Sequence, residues 1–342
     1  DDYFTISCES DIIYCGNFYE EKLFKYEQGQ VLQNEQEQAL RNEQIFRNER
    51  ILDLCFVEHN NEMYLVYIDA DNKKIVRQNI IPGKDRKYCF LKKQPNRFSK
   101  INDETVAVIY KKRLEVLIFN VNEMKGEKTI KMSEQHILNS SNGIQGILAL
   151  SENNFILSDK MHLCLLKMNE NGPIVKKLDL ENKVEFGTAR LTHAVTSDGK
   201  KDIIFITDEN NKRITSITIP PQNEEKESIA GHLIMRQKEH NRGLQNVRAI
   251  VATQSRIYAA TSAGISVFRH NRGYFDNCVD QPAFGQNSKD YKMLVEYNKH
   301  VEHTRSLCIH TSREYIYIGF SCVIKQQDVI LVFKLKPNIF FE

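Results

Sequence analysis

The chain has 342 residues, of which 41 % are hydrophobic and 27 % charged, a balance typical of globular proteins. Lys and Arg number 47 against 45 Asp and Glu, so the formal net charge is only +2 and total charge favours neither nucleic acid nor an anionic membrane. No stretch approaches the roughly 20 apolar residues that a membrane span requires, so no span is expected.

Taken along the chain, one unit recurs: a short apolar strand, a polar turn, and a second apolar strand. The start, Asp1-Asp2-Tyr3-Phe4, carries neither an initiator methionine nor a signal-peptide pattern, so a trimmed parent is expected. Asp11–Glu27 is the first hairpin copy. Residues 28–50 follow as a long insert rich in Gln, Glu, Asn and Arg. Its apolar residues, Val31, Leu32, Ala39, Leu40, Ile45 and Phe46, are too sparse to anchor a core helix, so a solvated connection is expected. Hairpins then begin at Met63, Thr105, Asn154, Asp202, Arg256 and Tyr315. A second long insert near 271–303 is broken by Gly273, Pro282 and Gly285.

The copies start roughly 40 to 60 residues apart, near the period of propeller blades. Their turns are Asn- and Asp-rich, as in Asp69–Lys74 and Asp208–Arg213, or use glycine, as in Ser262-Ala263-Gly264. Strand-like runs flank each hairpin: Phe4–Ser7, Ile51–Val57, Ile144–Leu150, Leu191–Val195, Val247–Ala252 and Ser306–His310 before, and Lys87–Leu91, Lys128–Met132, Pro173–Leu180, Ile229–Met235 and Lys292–Tyr297 after. Four short strands per unit make a blade, and blades packed radially cover one another's faces. The expected fold is therefore all-β: a single β-propeller of four-stranded blades over 1–342, seven blades being favoured over six. Tyr3–Ile6 and Asn338–Phe341 both stand as candidates for the strand that closes the ring.

Eight cysteines occupy positions 8, 15, 55, 89, 164, 278, 308 and 322 without CxxC or zinc-finger spacing. Cys55, Cys164 and Cys308 lie in apolar runs and read as small buried hydrophobes. An even count permits disulfides in a secreted protein, and a cytoplasmic setting is slightly favoured. Asn139-Ser140-Ser141 is a sequon of a kind expected by chance.

No GxSxG, P-loop, GxGxxG or HExxH motif occurs. His300, His303 and His310, with Glu302 beside them, read first as a solvated loop and a strand, as do His232 and His240 around another loop. A propeller enzyme would gather His and carboxylates at its channel from separate blades, around a divalent metal, so its site would be scattered in sequence. Asp69, Asp159 and Asp208 close equivalent strands; they fit Asx turns, and the alternative is a calcium-binding or basic-partner rim. The sequence therefore points to no catalytic residue, metal or cofactor.

Basic residues cluster at three hairpin turns: Lys73 and Lys74 with Arg77 nearby, Lys111-Lys112-Arg113, and Lys212-Arg213. Were these tips to share a face, that face would carry a ring of positive charge for single-stranded RNA, with Tyr110 and Tyr67 as stacking partners. The same charges also keep edges soluble. The second insert holds Tyr274, Phe275, Phe284, Tyr291 and Tyr297, aromatics of the kind enriched at binding hot spots. They serve equally well to pin the insert to the propeller.

Phe98–Tyr110 followed by Arg113–Phe119 resembles the loop, "VAV", polar turn and "I-x-I-F" strand of NHL-type propellers, especially the C-terminal propellers of invertebrate TRIM-like proteins. Ile203–Asp208 with Asn211–Ile214 is similar to that family's strand–Asp–turn core. The resemblance covers about two blades by residue and the rest by rhythm. The family's glycine before each hairpin is mostly absent, and a ligase would need RING, B-box and coiled-coil parts not found here. Trp is absent and no WD signature recurs. Six-bladed yellow-type secreted proteins compare only in architecture. Abundant blades, absent catalytic motifs and long loops point to a non-enzymatic scaffold holding a protein partner on one face and its long loops. The alternatives are the RNA-binding NHL-like propeller and the propeller enzyme.

Overall fold

The computed structural model describes residues 50–81, 84–132, 143–159, 162–170 and 172–180. It further describes the strand segments 13–17, 22–27, 30–31, 191–195, 202–208, 213–219, 228–229, 231–236, 249–252, 256–261, 264–269, 281–282, 301–311, 316–324 and 327–335. All regular elements among them are strands. They comprise β1 (Ile13–Asn17), β2 (Lys22–Glu27) and β3 (Gln30–Val31); β4 (Ile51–His59), β5 (Glu62–Asp69), β6 (Lys74–Asn79) and β7 (Arg86–Phe90); and β8 (Pro95–Lys100), β9 (Thr105–Tyr110), β10 (Glu115–Asn120) and β11 (Lys125–Lys131). Next come β12 (Gly146–Ser151), β13 (Asn154–Ser158), β14 (Leu163–Asn169) and β15 (Gly172–Leu180), then β16 (Leu191–Val195), β17 (Asp202–Asp208), β18 (Arg213–Ile219), β19 (Ser228–Ile229) and β20 (Gly231–Arg236). The last are β21 (Ala249–Ala252), β22 (Arg256–Thr261), β23 (Gly264–Arg269) and β24 (Gln281–Pro282), followed by β25 (Val301–Thr311), β26 (Ile316–Ile324) and β27 (Gln327–Leu335).

The fold is an all-β propeller of consecutive antiparallel sheets: β4-β5-β6-β7, β8-β9-β10-β11, β12-β13-β14-β15, β16-β17-β18-β20, β21-β22-β23-β24 and β25-β26-β27. β19 adds to β15 in parallel, and β1-β2-β3 form a further small sheet. All seven hairpins read from the sequence pair as hairpins. The first strands β4, β8, β12, β16, β21 and β25 neighbour one another in a closed cycle, β25 returning to β4, while β1 lies beside β27. Both ring-closing segments considered from the sequence, 3–6 and 338–341, fall outside the described residues.

Two-sided burial shapes the sequence of each sheet. β5 and β9 are buried almost throughout because a neighbouring sheet covers each face. Along β9, Val106, Val108 and Tyr110 pack toward the β4–β7 sheet, whereas Ala107 and Ile109 pack toward the β12–β15 sheet. The period-two alternation of a strand thus divides one apolar run between two cores. Residues 71–80 and 111–120 repeat the same succession of exposed tip, buried strand and half-buried end. The link between β4 and β5 is Asn60-Asn61, with φ of 52° and 61°, the left-handed pair that a two-residue hairpin turn requires.

Three expectations change. Phe98-Ser99-Lys100, read as loop in the family resemblance, belongs to β8, an inner strand irregular between Pro95 and Arg97. The fourth strand beside β23 is Gln281–Pro282, within the second insert; 292–297 lies outside the described residues. The insert ends earlier than 303, because β25 already begins at Val301.

Candidate functional site: a polarised disc and its channel

The first strands surround an axial cavity of about 260 Å³, lined from every one of the six by residues such as Asp53, Ser99, Ile147, Thr192, Val251 and Ser306. Its polar side chains link neighbouring sheets. The Phe98 N–H donates to Asp53 Oδ2 at 3.2 Å, the Ala149 N–H to Ser99 Oγ at 2.9 Å, and the Ala252 N–H to Thr192 Oγ1 at 2.9 Å. The Ser306 hydroxyl donates to Asp53 Oδ1 at 2.7 Å and ties β25 to β4 across 253 residues. These groups are engaged in holding the ring together. Among the described residues no three His, Cys, Asp or Glu converge as metal ligands.

The cysteines near the core behave as buried hydrophobes. Burial pushes the Cys55 and Cys164 thiols up to about 12 and the Cys308 thiol well above its usual range. All three are free thiols. Such groups are poor nucleophiles.

Antiparallel order places second-to-third-strand hairpins and sheet-to-sheet connections on one face, here the upper face, and the remaining hairpins on the lower face. Upper-face residues include Arg50, Lys73, Lys92, Lys93, Lys111, Lys112 and Arg113. The carboxylates there are largely engaged. Asp69, fully buried, accepts from the Arg50 N–H at 3.2 Å and from the Asn72 side chain at 2.7 Å, and lies 3.3 Å from Lys74 Nζ. Asp159, also buried, accepts from the His162 N–H at 2.6 Å. Both therefore work as the Asx-type turn anchors expected of them. Asp71 faces Arg50, and Glu115 pairs with Lys93.

Among the described residues the lower face is acidic. It carries Glu58, Glu62, Asp85, Asp103, Glu104, Glu123, Glu152 and Glu170, while Lys84, Lys100 and Lys125 are paired with Glu62, Asp103 and Glu123. Burial raises the Asp103 carboxyl, but hydrogen bonds from Lys100 and the Glu58 N–H outweigh it and hold the group below its ordinary value. His310 lies beside this cluster, 3.9 Å from Glu58. Burial and then the Lys100 charge lower its pKa, against Asp103 and Glu58. Among the described residues, a chain of net charge +2 thus places opposite signs on its two faces.

The upper-face cations form a continuous ridge. The Leu91 N–H donates to Lys73 O at 2.6 Å and the Lys111 N–H to Gln94 O at 3.0 Å, so Lys92 and Lys93 bridge two hairpin tips. The Ile144 N–H then donates to Arg113 O at 3.3 Å. Lys112 has a φ of 56°, and a Cβ on Gly143 would come within 2.5 Å of Arg113 N, so main chain packs directly on this turn. Lys73, Lys111, Lys112 and Arg113 are exposed as the sequence implied. Lys74 is only 14 % exposed and engaged with Asp69.

Arg213 is the first residue of β18, and Lys212 lies outside the described residues, as do Tyr274, Phe275, Phe284, Tyr291 and Tyr297. The stacking role considered for Tyr110 and Tyr67 is overturned. They are 7 % and 0 % exposed, turned into the two cores between sheets. Lys92 and Lys93 were not singled out from the sequence, although their adjacency in a short connection was the available signal. Tyr88 and Phe90 were also missed; at 56 % and 67 % exposure they are the aromatic pair that β7 presents to solvent.

Among solved structures, the β-propeller domain of Cps50 (Swd1) from Myceliophteria thermophila aligns with 96 % of this chain and 94 % of that domain, at 10 % identity and a TM-score of 0.52. A luciferin-regenerating enzyme aligns with 83 % of this chain and 92 % of its own, at 12 % identity and a TM-score of 0.54. Both likenesses are to the fold alone. No family model matches the sequence, and no curated protein matches it.

Proposed function

We propose that the chain is a non-enzymatic scaffold that holds a protein partner on the upper face of a six-bladed propeller. Six rather than seven blades is supported by the closed cycle of β4, β8, β12, β16, β21 and β25, and by the cavity to which each contributes. The observation that carries the scaffold reading is the basic ridge from Lys73 through Lys92 to Arg113, opposite an acidic lower face. Recognition commonly lies on such loops over a rigid frame. The inserts 28–50 and 271–303, with Tyr274, Phe275, Phe284, Tyr291 and Tyr297, belong to this proposal as partner contacts. Each leads into an inner strand.

Single-stranded RNA is the second reading, in keeping with the NHL-like resemblance, and rests on Lys111, Lys112 and Arg113 standing exposed on one ridge with Lys73. Capture from the native source tests the two together, comparing the wild type with K111E/K112E/R113E and with a deletion of 274–297. A protein retained by the wild type and lost by either variant, with cooperative melting intact, supports the scaffold. RNA recovered in place of protein, with steep salt dependence, overturns it.

A further inference from the structure

We propose that the outer edge of β7 is a strand-addition site for an extended, acidic polypeptide segment, which joins the first four-stranded sheet as a further strand. This rests on the partner-binding reading above and assigns it a place and a chemistry. Main-chain register supplies the first observation. The Asn79 N–H donates to Asp85 O at 2.9 Å and the Leu91 N–H to Lys73 O at 2.6 Å, with Arg77↔Lys87, Val76↔Tyr88, Ile75↔Cys89 and Lys74↔Phe90 between them. Antiparallel ladders alternate hydrogen-bonded and non-hydrogen-bonded pairs. Lys87 and Cys89 therefore direct their main-chain groups inward to β6, whereas Tyr88 and Phe90 direct theirs outward. β7 ends its sheet among the described residues, and the one bond made to those outward groups is a 3.6 Å thiol contact from Cys89 to Phe90 O.

Side chains give the second observation. The Tyr88 and Phe90 rings stand exposed, 5.5 Å apart and at 80° to one another. β11, the corresponding outer strand of the next sheet, exposes Lys125, Glu127, Lys128 and Lys131 and carries a register shift opposite Ile118/Phe119. Exposed charge and bulges are the usual protection of an edge against pairing. β7 pairs with β6 without a register shift, and beyond the single exposed charge of Lys87 it presents an aromatic pair.

Charge is the third observation and selects the occupant. β7 ends at Phe90 beside Lys92 and the bonded Leu91–Lys73 pair, and neither Lys73 nor Lys92 has an ion pair among the described residues. A strand alternating apolar side chains over Tyr88 and Phe90, with carboxylates at its end beside Lys73 and Lys92, matches all three features. Outward N–H and C=O groups at strand spacing complement a peptide backbone rather than a phosphodiester.

The test is selection of a displayed library of random peptides, about nine residues long, on the full chain. Tyr88→Pro is the decisive variant: it removes an outward N–H, spares the bonds to β6, and places proline where edge strands tolerate it. Its melting must match the wild type; Phe90→Ser serves if it does not. We expect enriched sequences to be alternating and acidic at one end. Y88P and K73E/K92E should each weaken a synthesised winner about tenfold or more. Exchange of the Tyr88 and Phe90 amides should slow on binding. No enrichment, or equal binding to Y88P, overturns the edge site. Binding that survives Y88P but fails in K111E/K112E/R113E overturns the edge while leaving partner binding on the upper face intact. Polyuridylate binding without peptide binding overturns both, and a wild-type dimer dissolved by Y88P assigns the edge to a second copy instead.

Discussion

At Gly319 a hydrogen is the only side chain the interface accommodates. A Cβ there would lie 2.7 Å from Cys308 Sγ, 2.8 Å from Leu54 Cδ1 and 3.0 Å from Phe56 Cζ, where the last sheet meets the first. Gly319→Ala is therefore expected to destabilise the fold by about 1–3 kcal/mol through overpacking, read as a lower denaturation midpoint. His310 provides a pH signature. Its folded pKa is lowered from 6.5, so in the window below 6.5 the unfolded chain binds more protons than the native state. Its contribution is present above 6.5 and is lost as pH falls through the lowered folded value. His310→Gln should make the fall in melting temperature between neutral and mildly acidic pH shallower. Lys100, Asp103 and Glu58, which face the ring, remain in place in that variant.

Within the elements, turn chemistry and strand position explain what could be read in advance. Asp69 closes β5 and satisfies the Arg50 and Asn72 amides, so its hairpin carries a visible Asp–Asn–Lys signature. Asp69→Ala should cost about 3 kcal/mol in chemical denaturation, since it removes a buried carboxylate that Lys74 and two amides depend on. β5, β9, β13 and β17 are legible because burial on both faces makes them continuously apolar. β8 was not: it holds one large apolar residue, Phe98, because its other side chains meet the channel or the rim. Sequence reasoning located the basic tips at 73–74 and 111–113, but the main-chain bonds joining them through 91–94 connect separate hairpins and leave no local pattern. Tyr67 and Tyr110 were misjudged for the same reason, since a strand residue's exposure depends on which sheet comes to lie against it.

For the whole molecule, closure is the decisive event. The Ser306–Asp53 bond joins β25 to β4, and the core beside it contains Ile51, Leu54 and Phe56 with Cys308 and Ile330. A double-mutant cycle of Asp53→Ala and Ser306→Ala should show a coupling of about 1 kcal/mol or more. Coupling near zero would mean that the contact is incidental to closure.

The sequence by itself determined the all-β class, the seven hairpins, the turn anchors Asp69 and Asp159, and the burial of Cys55, Cys164 and Cys308. Each depends on alternation, local turn chemistry or a run of apolar residues, all properties of neighbours along the chain. Only the tertiary structure decided which first strands meet around the axis, which tyrosines are covered, and how the described residues of a nearly neutral chain place cations on one face and carboxylates on the other. Those outcomes depend on radial packing between sheets and on the end of each strand at which a loop emerges, so they are set by contacts remote in sequence.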